Sequence, residues 1–101
     1  MKKFNLTNSL PDRLAFDEMV KREAVDDFHN NDEPFTTLDF LEPYIDWIYN
    51  VHFQSKTFIV DDEEEAKARF VDAYKKAYIN EAIEKLKNML WRWICMLLEL
   101  F

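Results

Sequence analysis

The sequence predicts an all-α fold, a small bundle of three helices, or of four if the last is divided near Asn80, on three observations. Apolar residues recur at helical spacing over most of the chain, while only one short stretch reads as a strand. Glycine is absent and proline occurs three times, all before residue 44, so nothing in the second half forces a helix to stop. The length of 101 residues allows one modest core, and 49% hydrophobic with 16% aromatic residues is enough to fill it.

Residues 1–8 read as a flexible lead-in to a single domain spanning 1–101. Ser9-Leu10-Pro11-Asp12 then marks a helix start, with Ser9 as cap, proline in the first turn and Asp12 where a capping-box acid belongs. Phe16, Val20, Ala24 and Phe28 lie four apart and define the buried face of this first helix. The run from His29 to Pro34 ends it, because asparagine and aspartate favour turns and Pro34 disfavours helix at Glu33.

A second helix is expected from Thr36 or Thr37, with Pro43 imposing a bend or a later start. Its stripes Phe40, Tyr44, Trp47, Val51 and Leu41, Ile45, Ile48, His52 adjoin, with Tyr49 and Phe53 on a third flank. That breadth places the helix centrally, with Trp47 and Ile48 at the middle of the core and Phe16, Phe28, Phe40, Tyr44, Phe70 and Tyr74 packed around them. Residues 54–60 are expected to form an extended connector, because a lone strand has nothing to pair with.

Asp61 or Asp62 should cap the last helix, whose positive N-terminal end suits Glu63, Glu64 and Glu65. A helix of some forty residues is roughly 60 Å long, against a radius of gyration of about 13 Å for a 100-residue domain. It must therefore break, near Asn80 or Asn88, or project. The stripe of Ala66, Phe70, Ala73 and Ala77 gives way to a seam of Ile79, Ile83, Leu86, Leu90, Trp93, Leu97 and Leu100, in steps of four and three. From Met89 to Phe101 only Arg92 and Glu99 interrupt an apolar run. Such a segment must be covered all round, as core or as interface. At roughly 20 Å it is too short for a bilayer core of about 30 Å, and no membrane role is expected.

The net charge of −7 is uneven: residues 1–22 carry +2, residues 23–65 carry −12 and residues 66–101 carry +3. Acid excess repels nucleic acid, so none is expected as a direct partner. The missing glycine removes phosphate-cradling loops, dinucleotide fingerprints and nucleophile elbows. Cys95, the one cysteine, forms no internal disulfide and no cysteine-based zinc site. With no apolar signal segment after Lys2 and Lys3, a cytoplasmic setting is expected. His29 and His52 are the only histidines, and no spacing joins either to a triad or metal set. No catalytic residue, metal or cofactor is expected, and the chain reads as a non-enzyme.

Two modes of action follow. In the first, an acidic face occludes the basic, nucleic-acid-binding surface of a protein partner. Asp39, Glu42, Asp46, Asp61, Asp62, Glu63, Glu64 and Glu65 would supply charge, and Phe35, Tyr44, Trp47 and Tyr49 would supply aromatic anchors. In size, charge and helicity the chain resembles the small acidic inhibitors that bacteriophages make against host nucleases and CRISPR effectors, although no motif carries that likeness. In the second, the chain is a structural or assembly protein that forms a homo-oligomer, with a homodimer as the economical case. Leu90, Trp91, Trp93, Ile94, Leu97, Leu98 and Phe101 would make the contact.

Overall fold

Helix α1, Leu10–Asn30, starts where the Ser9 hydroxyl accepts the Asp12 N–H at 3.3 Å. The computed structural model describes residues 2–100. Asp12 does not close a capping box; its carboxylate accepts the Asn5 N–H at 2.7 Å and so ties down the preceding loop. The buried face of α1 is the expected stripe of Phe16, Val20, Ala24 and Phe28. Asn31 ends the helix. Its side chain donates to Thr37 Oγ1 at 2.7 Å and Tyr78 Oη at 3.0 Å, while its Oδ1 accepts the Glu33 N–H at 2.9 Å.

A single helical turn, α2 (Pro34–Thr37), leads through a 3-10 turn at Leu38–Phe40 into α3, Leu41–Gln54. Neither Thr36 nor Thr37 caps a long helix; α3 begins late, with Pro43 in its first turn. Its buried residues are Leu41, Ile45 and Tyr49, not Trp47, which is 61% exposed, and Ile48 is only half-buried. Phe40 also stands outside the core. The chain leaves α3 through Lys56 at φ 54°. With no glycine available, a lysine takes this left-handed turn at a cost of about 1–2 kcal/mol.

The connector around 54–60 does find a partner. Strand β2, Phe58–Val60, pairs in parallel with β1, Lys2–Phe4, placing Lys2 opposite Phe58 and Phe4 opposite Val60. The N-terminal segment, expected to be a flexible lead-in, thus contributes a strand and buries Phe4 and Leu6. Asp61 holds it in place, accepting the N–H of Leu6 at 2.7 Å and of Thr7 at 3.2 Å.

Helix α4 runs without a break from Glu63 to Glu99, capped by Asp62, whose Oδ1 accepts the Glu65 N–H at 3.1 Å. The break expected near Asn80 does not occur. Asn80 is exposed and costs a helix interior only about 0.7 kcal/mol or less, too little to interrupt it. The first half of α4 packs against α1 and α3 through Ala66, Phe70, Tyr74, Ala77, Tyr78 and Ala82. Aromatic rings fill the space between the helices: Phe70, Tyr74 and Tyr78 stack in sequence at 5.7 and 6.0 Å, and Phe16 meets Phe4 and Phe58 edge-on at 5.4 Å. The architecture is three long helices with a two-stranded parallel sheet, measuring 60 × 25 × 19 Å.

Candidate functional site

Ala82 is the last buried residue of α4. Beyond it the helix leaves the body, and every described side chain is exposed except the half-buried Cys95. The exit is braced on one side by Lys85, whose ammonium lies 5.9 Å from the Phe28 ring and 5.7 Å from the Phe35 ring. His29 Nε2 meets Glu81 Oε2 at 3.1 Å beside it. Past this neck, residues 83–99 rise roughly 26 Å at about 1.5 Å per residue. Leu90, Trp91, Trp93, Ile94, Leu97 and Leu98 all stand on this projection, with Leu98 at 68% exposed and Trp91 at 65%. Phe101, expected beside them, lies outside the described residues.

The projection leaves a mark on the whole molecule. A folded monomer of 12.3 kDa should expose about 6,100 Å², whereas this chain exposes 7316 Å². The radius of gyration, 17.0 Å, exceeds the roughly 13 Å of a compact chain of this length. No helix among the described residues is long and apolar enough to cross a membrane.

Several of the expected acidic residues are paired within the chain. Glu42 pairs with Lys75 at 2.9 Å and Asp46 with Lys67 at 3.9 Å, linking α3 to α4. The hydrogen bond and charge of Lys75 hold the Glu42 carboxyl below its ordinary range. Glu65 accepts from Arg69 at 2.8 Å, and Asp61 and Asp62 are occupied by backbone N–H groups. Asp39, Glu63 and Glu64 are exposed. Among the expected aromatic anchors only Trp47 is exposed. Tyr49 is a core residue, against Phe53, Phe58 and Phe70, with its hydroxyl 3.5 Å from the Glu63 carbonyl. Phe35 is half-buried under Lys85, and Tyr44 is half-buried against Trp47, Tyr74 and Tyr78.

A polar cluster that no sequence spacing signals lies between α1, α3 and the loop that leads into β2. His52 Nε2 meets Glu23 Oε1 at 3.0 Å and its Nδ1 meets Thr57 Oγ1 at 3.1 Å. One turn along α1, Asp27 accepts from the Tyr74 hydroxyl. Burial raises the Asp27 carboxyl above its ordinary range, partly offset by Tyr74. Burial and the Asp27 hydrogen bond together push the Tyr74 hydroxyl far above its usual range, so it stays protonated and donates to Asp27. Glu23 and His52 border a cavity of about 410 Å³ walled by Lys2, Met19, Val20, Thr57, Phe58 and Phe70. Both His52 nitrogens are engaged, and Thr57 also contacts the His52 carbonyl at 3.2 Å, so the arrangement ties three elements together. No group of three or more metal-ligating side chains converges among the described residues. Comparison of the chain with protein families, curated proteins and solved structures finds no match.

Proposed function

We propose that this chain is an assembly protein that works by self-association through the projecting half of α4, with a second copy covering its apolar surface. The observation that carries the reading is the exposure of a continuous seam from Ile79 to Leu100 on a helix with no cover of its own. The seam repeats in steps of four and three, the spacing with which helices of separate chains interlock. The surface in excess of a compact monomer is about 1,200 Å² per copy. If each of two copies buries that much, the interface totals about 2,400 Å², within the range of obligate homodimers. Light scattering tests it. The wild type should have twice the chain mass, and Leu90→Glu, which touches nothing in the body, should return it to monomer with its helicity unchanged. A wild type that stays monomeric at high concentration overturns the reading.

One observation favours the second mode, the acidic occluder of a basic protein surface. Trp47, next to Asp46 in the chain, is 61% exposed and stands outside the core. Tryptophan at a wet surface is the residue type that anchors interfaces. Trp47→Ala should leave the fold intact and abolish salt-sensitive retention of a partner from a lysate. Retention that is indifferent to both the variant and ionic strength removes this reading.

A further inference from the structure

We infer that two copies pair their projecting helices antiparallel, so that each tip lies beside the partner's body; this rests on the self-association reading above. Two independent features of the chain select this orientation over the parallel one.

The first is charge. Residues 1–82 carry 18 acidic and 10 basic side chains, a net −8, whereas residues 83–101 carry 3 basic and 2 acidic, a net +1. Parallel pairing sets two strongly negative bodies side by side. Antiparallel pairing sends them to opposite ends and brings the mildly positive helix of each copy to the body of the other.

The second is the seam itself. Followed back over the body, its next positions are Lys76 and Asp72, both exposed and charged. An in-register parallel pair sets each of these against its own copy and Trp93 against Trp93. Antiparallel pairing places Ile79 opposite Leu97, Ile83 opposite Trp93 and Leu86 opposite Leu90, so the bulkiest ring meets a smaller side chain. Lys87 approaches its own copy across the two-fold axis, where Glu84 at 3.5 Å already offsets its charge.

The test is small-angle X-ray scattering on the unmodified protein, with its mass measured in the same sample. One copy is 60 Å long. Two copies crossing near residue 88 reach about 85 Å end to end, whereas a parallel pair stays near about 60 Å. A two-copy mass with a maximum dimension of about 85 Å is the expected result. A two-copy mass at about 60 Å overturns the orientation and leaves self-association standing. A larger assembly overturns the pairing. A monomeric mass overturns both, and the seam then serves a different partner.

Discussion

The two halves of α4 are one helix with two opposite solutions to the same problem. Over residues 63–82 the apolar side chains form a stripe, the aromatic rings of Phe70, Tyr74 and Tyr78 between Ala66 and Ala82, and α1 and α3 cover that stripe completely. Over residues 83–100 the apolar content is higher, yet every seam residue is exposed. Hydropathy alone would put the second half inside. What separates the halves is pattern. A stripe with charged neighbours needs one host surface, which the rest of the chain provides. Residues 83–100 carry apolar side chains on more than one side, with Trp91 and Leu98 off the seam, and the body covers none of the seam. The surplus stays exposed.

That contrast is broken or sharpened most by paired truncations, one in each half. Phe70 is 1% exposed and touches Tyr49, Phe58 and Tyr74, so Phe70→Ala should cost about 3–5 kcal/mol. That is a large part of the roughly 5–15 kcal/mol that holds a domain of this kind together. Leu97→Ala, made in the other half, should leave the urea midpoint of the dilute monomer unchanged and weaken association instead. Urea titration at low concentration, read beside the mass at high concentration, separates the two. Equal destabilisation of the dilute protein by both variants would show that the tip folds back onto the body.

The sequence made the first half of the molecule far more legible than the arrangement around α3. The α1 stripe and the Ser9 and Asp62 caps lie within a few residues of one another, so local spacing fixed them. Helix α3 is apolar or aromatic over most of its circumference, and periodicity cannot choose between Trp47 and Tyr49 for the core. The choice is made by Phe58 and Phe70, which come from elsewhere in the chain and leave room on the Tyr49 side. The β1–β2 pair joins residues more than fifty positions apart, and nothing local in Lys2–Phe4 announces it. Glu23 and His52, 29 apart, meet for the same reason. Asn80 marked a true change in the hydrophobic register, but the change reflects the end of the body rather than the end of the helix. The apolar run of the tip, by contrast, was readable directly, because it needs no partner elsewhere in the chain to be recognised; its exposure was not, because the run alone fits core and surface equally.

A smaller effect tests whether body and tip are independent, using two carboxylates of the body with opposite pH dependence. Hydrogen bonding from Thr7, joined by the N–H of Leu6, holds the Asp61 carboxyl below its ordinary range. Its stabilising contribution is therefore present above the unfolded pKa and is lost as pH falls through the folded value. Burial does the reverse to Asp27, whose carboxyl is raised. The native state then binds the proton more readily than the unfolded chain, and the penalty on the charged form disappears as pH falls below the unfolded pKa. Compared with wild type at each pH between 7 and about 3.5, Asp61→Asn should lose its disadvantage as the solution is acidified. Asp27→Asn should grow worse relative to wild type over the same titration. Neither substitution should alter the mass of the assembly at pH 7, because both side chains lie in the body and the seam from Ile79 to Leu100 contains no acid. A change in mass at pH 7 with either variant would mean that the N-terminal strap or the polar cluster of α1 reaches the interface, and the division of α4 into a body half and a contact half would fall.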